Sequence, residues 1–597
     1  MATLLDTTTP SRQRTLVVRF AGDSGDGIQL AGHEFARTTA DAGADFMTFP
    51  DYPAEIRAPA GTTFGVSAFQ IQFGPGEVLT PGDEADVLVA FNPAALKTNL
   101  QYLKPGGLLI ADDTHFDARG LKKAGIEKSP LEDGSLAGYR LVTVSITRRA
   151  LEALAALDLG RKHASRARNF WALGLVYWLF GRDMGLTAGL LERKFANDDE
   201  VRNANLLALK AGHAYGETAE LSEHEEMARV SEAAGTGKGR IISGTQAMAL
   251  GIAAIPVLSQ REVIYCSYPI TPASALLHTL ARYGNGVSTF QAEDEIAAAS
   301  AAIGASYGGA LGVTASSGPG LALKTEALGL AVMAELPLVV IDVQRAGPST
   351  GMPTKPEQSD LTMAIHGRHG ESPLPVFAPA TPEDCFWVMI EAARTAIEAM
   401  TPVIVLSDAY LANAASDWTP PDVDSIADIA VPEFEPGADG FKPYARDEAT
   451  LARAWVAPGT KGLAHRIGGI EKQAGSGHIS YDPANHAEMV RLRAEKIARI
   501  SGRRPAIELE NGPDDADILV IGWGSTHGAI GQAVRELNAE GKRAAHVHLR
   551  QLWPLPEGLG ELLDRFPRAV TAEMNAGQLA CVLRSEYLKP VGHIGNV

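Results

Sequence analysis

Short apolar runs recur along the 597-residue chain, each stopped by glycine, aspartate or proline and each leading into an alanine- and leucine-rich stretch with helical spacing. Thr15–Phe20, Asp86–Phe91 and Leu108–Ala111 predict the first series of strands. A second series runs from Ser243 to Leu411. It predicts strands at Val263–Ser267, Gly312–Ala315, Leu338–Val343 and Val403–Leu406. Helices are predicted between them at Ala273–Tyr283, Glu295–Tyr307, Ala322–Glu335 and Glu383–Met400. A last unit opens with strand Ile518–Trp523, a Gly-Ser turn and helix Ala529–Glu540. This βαβ rhythm predicts a multi-domain α/β fold of mostly parallel sheets covered by helices. The aromatic stretch Asn169–Gly181 reads as a core or interface helix rather than a cofactor box.

Composition marks the boundaries. Glutamates crowd at Glu217, Glu220, Glu223, Glu225 and Glu226 before a Gly-Thr-Gly-Lys-Gly run, which reads as a linker. Residues 413–513 are rich in Pro, Gly and Asp and read as an irregular connection. The expected division is 12–216, a linker at 217–239, 240–412, the connection at 413–513, and 514–597. A prior of ~150 residues per domain agrees with about four units.

Charge and cysteine content narrow the function. A net charge of −18 argues against binding to nucleic acid, and fits either solubility or docking of a basic partner. No apolar run approaches the ~20 residues of a membrane span. The polar start shows no apolar leader, so the expected location is the cytoplasm. Cys266, Cys385 and Cys581 form no CxxC pair, so iron–sulfur ligation, zinc binding and a disulfide framework within this chain are not expected.

Six loci carry candidate chemistry. Phe20–Gly32 is a glycine-rich turn between a strand and a helix, with Gly22, Ser24, Gly25 and Gly27 at its bend. It is either a plain tight turn or an anion cradle built of backbone amides. Its Gly25-Asp26-Gly27 lacks the following Asn of a magnesium–diphosphate motif, and its spacing is not that of a dinucleotide fingerprint. In Tyr268–Ser274, Thr271 and Pro272 suit the N-cap and first position of a helix. The Thr271 hydroxyl there either caps or faces a carboxylate or ketone oxygen. Glu293, Asp294 and Glu295 precede a helix nearly bare of bulk, Ala297–Ala305, past which a backbone or flat ligand could slide. Thr314–Gly320 is another strand–glycine turn–helix junction. Arg345 lies just past an apolar strand, where open α/β sheets bind ligands, though a surface ion pair is the alternative. The Gly/Pro-rich stretch from Gly347 to Asp360 reads as a lid or interface arm.

The series YPITPAS, EDEIAAASAAIGAS, TASSGPG, VVIDVQRAGPSTGMPT and EQSDL resembles the alpha subunit of 2-oxoacid:ferredoxin oxidoreductases. FAGDSGDGI and YPAEIR resemble the gamma subunit, which is fused ahead of alpha in 2-oxoglutarate-type members, and ILVIGWGST resembles the family's transketolase C-terminal-like domain. In residues 413–513 the family often carries Gly-x-Glu-His, where this chain has Gly469-Ile470-Glu471-Lys472.

The resemblance implies a gamma-type domain at 12–216, a pyrimidine-side thiamine diphosphate and substrate domain at 240–412, and a transketolase C-terminal-like domain at 514–597. It implies Glu295 as the catalytic carboxyl that activates thiamine diphosphate through the pyrimidine ring. Pro269, Ile270, Thr271, Ser317 and Gly318 would line the cofactor. Thr271 and Arg345 would contact the substrate carboxylate, with Lys355 or His369 available for a distal one. The Gly22–Gly27 turn would be the site for coenzyme A or another anion. A beta subunit would carry Mg2+, the diphosphate site and a [4Fe–4S] cluster, in a dimer of heterodimers that passes electrons to ferredoxin. The implied reaction is oxidative decarboxylation of 2-oxoglutarate to succinyl-CoA or its reductive reverse. Alternatives are another 2-oxoacid, a non-catalytic scaffold, or a nucleotide-dependent dehydrogenase.

Overall fold

A computed structural model describes residues 15–53, 58–157, 159, 164–219, 240–284, 286–434 and 440–596. Residues 54–57 of the YPAEIR segment and 220–239 of the expected linker lie outside them. The chain forms two compact units, one of residues 1–241 with 414–420, the other of 242–413 with 421–597.

The first unit is a sheet ordered Arg140–Val144, Leu103–Asp112, Ala85–Ala90, Leu16–Asp23, Val66–Gly74, Asp45–Asp51, Ala415–Trp418. The first four strands run parallel, but Val66–Gly74 is antiparallel to both Leu16–Asp23 and Asp45–Asp51. This half of the first unit is therefore antiparallel within a fold whose sheets are otherwise parallel-rich. The short connection from Asp51 to Val66 holds no crossover helix among the described residues, and a parallel pair needs such a crossover. Phe20, Phe35, Phe69 and Phe73 fill the core with Trp171 and Tyr177 of helix Arg168–Leu179, so the aromatic stretch is a core helix. That helix packs against Asp199–Thr218 at near backbone contact. A Cβ on Gly174 would lie 2.0 Å from the Leu209 carbonyl oxygen, and one on Gly212 1.8 Å from that of Trp171.

The second unit has two sheets. One is ordered Gln551–Trp553, Val376–Phe377, Pro402–Asp408, Leu338–Gln344, Leu311–Ser316, Val263–Ser267, Val287–Gln291, and all but the first strand are parallel. The other, Ala544–Leu549, Ile518–Trp523, Ala569–Glu573, Val591–Gly595, is wholly parallel. The two share one apolar core that includes Leu338, Val340, Leu406, Leu519 and Trp523. No helix among the described residues is long and apolar enough to cross a membrane.

The stretch 413–513 is less irregular than its composition suggests. It contains strand Ala415–Trp418 and helix Pro483–Ala498, which Asp482 caps by accepting from the Ala484 amide. The helix carries Lys496 to the fully buried Glu335, the left-handed residue that ends helix Thr325–Ala334. Lys496 Nζ lies 3.0 Å from one Glu335 oxygen, and Arg446 Nη1 donates to the same oxygen at 2.7 Å. Burial alone would raise the Glu335 pKa, but Lys496 and Arg446 outweigh it and hold the carboxyl at about 2. This contribution is complete above the ordinary glutamate range and is lost as pH falls toward the folded-state value. Glu335→Gln leaves two buried cations facing an amide, and is expected to lower stability by about 3–5 kcal/mol at neutral pH. Denaturant midpoints measure this, and an unchanged midpoint would show that the cluster does not hold the segment.

Candidate active site

Three parallel strands of the second unit, Val263–Ser267, Leu311–Ser316 and Leu338–Gln344, end side by side and lead into Tyr268–Ser274, Ser317–Gly320 and Arg345. These are the carboxyl ends, where such sheets bind ligands. Thr271 does not cap the following helix, which starts at Ser274. Ser274 Oγ accepts from the Ile270 amide at 2.8 Å instead, and Thr271 is exposed before a cis Pro272. The Thr271 carbonyl receives Arg345 Nη1 at 2.7 Å, which joins two residues 74 positions apart. Arg345 is only 6% exposed, so it is no surface ion pair, and its Nε has no hydrogen-bond partner among the described residues.

The three acids before the bare helix have separate roles. Asp294 is the N-cap and accepts from the Ala297 amide at 2.8 Å, Glu293 is exposed, and Glu295 is the half-buried first residue of helix Glu295–Gly308. The small residues serve two faces. Ala298, Ala299 and Ala302 turn inward, where a Cβ on Gly312 of the adjacent strand would come within 2.0 Å of the Ala302 carbonyl oxygen. The outer face is open at Gly304 and Gly308, with Ile296 and Tyr307 exposed beside them.

The glycine turn after Leu311–Ser316 is packed by side chains. A Cβ on Gly318 would lie 2.7 Å from both Asp360 carboxyl oxygens, and one on Gly320 would meet the Tyr268 hydroxyl and Ser316 Oγ. Those two hydroxyls share a hydrogen bond of 2.9 Å. Ser317 Oγ is buried and lacks a partner among the described residues.

Sequence reasoning gave no role to Lys324, Asp342 or Asp360. Lys324 breaks the expected Ala322–Glu335 helix into Gly318–Leu323 and Thr325–Ala334. Its buried Nζ donates to Thr314 Oγ1 at 2.7 Å and sits 5.6 Å from the Tyr268 ring centre. Desolvation pushes it down to about 8, against the opposing pull of Glu295 and Asp342. The readable signal was a lone lysine in an otherwise apolar run.

The loop after Arg345 folds back on itself. Ala346 donates to the Lys355 carbonyl at 3.0 Å and accepts from the Met352 amide at 2.9 Å, so Lys355 lies beside Arg345 in the loop. Gly351 has φ +50°, and a Cβ there would lie 1.9 Å from the Ala346 carbonyl oxygen. Its far end is anchored: Gln358 Nε2 donates to the Trp523 carbonyl at 2.6 Å and Oε1 accepts from the Met574 amide at 2.9 Å. Only the Gly347–Met352 tip is exposed. His369 lies past the next helix and is exposed.

The first unit holds the other candidate. The Asp23 amide donates to Asp26 Oδ2, the Ser24 amide to the Gly65 carbonyl and the Asp26 amide to the Asp23 carbonyl, so three amides are spent within the first unit. Gly22 and Asp23 belong to the strand. Gly27, at φ +78°, leaves space filled by Asn169, and Arg168 forms an ion pair with Asp26. Ser24 and Gly25 remain exposed, with open space where a Gly25 side chain would stand. Among the described residues no cluster of His, Cys, Asp or Glu could hold a metal ion.

Residues 17–215 match the family model for pyruvate ferredoxin/flavodoxin oxidoreductase. Residues 258–480 match that for the thiamine diphosphate-binding part of pyruvate flavodoxin/ferredoxin oxidoreductase. The chain is 51% identical to the 2-oxoglutarate oxidoreductase subunit KorA of Mycobacterium tuberculosis, over 98% of its own length and 90% of that protein. The chain belongs to the 2-oxoacid:ferredoxin oxidoreductases. Both segments of this family, gamma-like and alpha-like, lie in the one polypeptide. A 2-oxoacid:ferredoxin oxidoreductase alpha subunit of Aeropyrum pernix is 28% identical over 96% of this chain and 94% of its own. Among solved structures, the 2-oxoglutarate:ferredoxin oxidoreductase of Magnetococcus marinus, with 2-oxoglutarate, coenzyme A and succinyl-CoA bound, superposes with a TM-score of 0.85. It is 32% identical and covers 98% of this chain and 96% of that one.

Proposed function

We propose that this chain is the fused gamma–alpha subunit of a 2-oxoglutarate:ferredoxin oxidoreductase. With a partner subunit it oxidises 2-oxoglutarate and coenzyme A to succinyl-CoA and carbon dioxide, or runs the reverse. The observation that carries this reading is the Arg345–Thr271 hydrogen bond at the sheet's carboxyl end, beside the turn after Leu311–Ser316. The substrate assignment draws on the Mycobacterium and Magnetococcus relatives, both named for 2-oxoglutarate.

The residues fit a thiamine pyrimidine. Glu295 stands half-buried at a helix start whose cap is supplied by another residue, and the Ser317 hydroxyl is buried without a partner. Pro269, Ile270 and Gly318 complete the lining. Thiamine diphosphate, when bound, supplies the thiazolium ring that acts as electron sink for decarboxylation. Glu295 would hold a hydrogen bond at the pyrimidine ring nitrogen. The guanidinium of Arg345, fixed on one side by the Thr271 carbonyl, would turn its remaining N–H groups to the substrate's 1-carboxylate. The exposed Thr271 hydroxyl would donate to the same group or to the keto oxygen. Lys355 would face the distal carboxylate, and the exposed Ser24–Gly25 bend would take coenzyme A or another anion. Mg2+, the diphosphate site and the [4Fe–4S] cluster would belong to the partner, with ferredoxin as the electron acceptor.

The test is the complex purified with its partner and assayed with coenzyme A, a low-potential acceptor and a panel of 2-oxoacids. Preference for 2-oxoglutarate is expected, and preference for pyruvate or branched-chain acids would overturn the substrate assignment. Arg345→Met is expected to raise KM for the 2-oxoacid about thirtyfold or more, the effect of losing ~2 kcal/mol or more of a buried charged contact. An unchanged KM would remove Arg345 from the substrate site.

A further inference from the structure

Asp342 lies three residues before the substrate arginine, on the strand that leads to it. It is the fifth residue of strand Leu338–Gln344, pairs in register with Ser316 on one side and Leu406 on the other, and is 0% exposed. Among the described residues no N–H group reaches either of its oxygens. Its neighbour is Asp360, a carboxyl wedged against Gly318 and fixed through its own amide to Gln344 Oε1 at 3.1 Å, two residues along the strand from Asp342. Two carboxyls buried side by side do not both ionise readily, and a buried one without donors holds its proton.

We propose that Asp342 and Asp360 share one proton at neutral pH and that the protonated pair positions Arg345 for the 2-oxoacid carboxylate. Asp342 donates its O–H, and Asp360 accepts. Burial and the neighbouring carboxyl push Asp342 well above the ordinary aspartate range, and burial brings Asp360 up to about 6. The charged or titratable groups around the pair are Lys324 from the break after the glycine-turn helix, Arg345 beyond the strand end, Tyr268 from the end of the next strand but one and Glu357 from the loop, with Glu295 across Lys324. With one proton the pair carries a single negative charge, which buried Lys324 balances. A second negative charge would draw the Arg345 guanidinium inward, away from the Thr271 carbonyl and from substrate. Asp342 and Asp360 are thus positioning residues, and their role rests on the reading of Arg345 given above.

The stability arm of the test does not depend on that reading. The folded-state pKa of Asp342 is raised above its unfolded value, so the native state keeps a proton that the unfolded chain releases. Stability from this group is complete below the ordinary aspartate range and declines as pH rises through the folded-state range. In the complex with its partner, Asp342→Asn supplies an amide donor to Asp360 at every pH. It is expected to flatten that decline, read as melting temperature against pH, and to abolish an infrared carbonyl band of a protonated carboxyl at pH 7.5. Asp360→Asn is expected to do the same to the decline, and stands in if the first variant does not fold. A decline and band unaltered in both variants would overturn the shared proton.

The kinetic arm reads KM. In the wild type it should rise roughly tenfold per pH unit once the pair has lost its proton, because one proton is then linked to substrate binding. Asp342→Asn should remove that rise with little change in kcat. A rise that persists in Asp342→Asn while the stability arm behaves as expected would overturn the positioning role. Failure of the Arg345 reading is seen separately, in an Arg345→Met enzyme with unchanged substrate saturation.

Discussion

Glu295→Gln is expected to leave the chain folded and to lower turnover of the complete enzyme by about 10^2–10^4 or more, the range for loss of an acid–base group. The folded state should tolerate the change because Asp294, not Glu295, caps the helix and holds the Ala297 amide. A glutamine keeps the size of the side chain and one hydrogen-bonding oxygen. It cannot present an ionisable carboxyl to a ring nitrogen, so the loss should fall on kcat rather than on substrate KM. Glu293→Gln is the matched control, because Glu293 is exposed and has no helix position. Steady-state rates of both variants with 2-oxoglutarate, coenzyme A and a low-potential acceptor decide the matter. A Glu295→Gln enzyme at near-wild-type rate beside an inactive Glu293→Gln enzyme would reverse the assignment.

What was legible in the sequence followed from local periodicity. Strand Leu338–Gln344 is apolar at nearly every position because it is covered on both faces, and its end could be read because Gln344 and Arg345 interrupt the run. The start of helix Glu295–Gly308 was legible for the same reason. Strand direction was not, since the antiparallel placement of Val66–Gly74 leaves no trace in its hydrophobic pattern. The helix Pro483–Ala498 was hidden by the Pro, Gly and Asp around it, although Asp482-Pro483 is a readable N-cap and first-turn signal. Thr271-Pro272 gave the same signal falsely, because the helix starts only at Ser274 and no side chain caps it.

As candidates for the site, Glu295, Thr271 and Arg345 could be named from the sequence because each stands at an element boundary. Asp342 could not. A single aspartate in a strand looks like many others, and its meaning lies in Asp360, eighteen positions away and brought back only by the folded loop. The bare helix was half understood: its inner alanines admit the strand at Gly312, and only its outer face is open.

Expressed without its partner, the chain is expected to be colourless and to show no calorimetric response to thiamine diphosphate and magnesium. An iron–sulfur cluster takes several thiolates, and the whole sequence has three cysteines, two of them buried and none spaced as a pair. The diphosphate binds through a divalent cation held by oxygen ligands. The Gly25-Asp26-Gly27 bend commits Asp26 to Arg168 and to the Asp23 amide. On the proposed reading this chain supplies the pyrimidine half: Glu295, the Ser317 hydroxyl and the open face at Gly304 and Gly308, flanked by exposed Ile296 and Tyr307. A neighbouring chain that covers that face would bury the apolar side chains and close the cofactor site in one step. Adding the partner should therefore restore visible absorbance, thiamine diphosphate binding and turnover together. Glu295→Gln in the reconstituted complex should keep the colour and lose the turnover, which separates assembly from chemistry. Tight thiamine diphosphate binding by the lone chain, or stoichiometric iron in it, would show that the site is divided differently between the subunits.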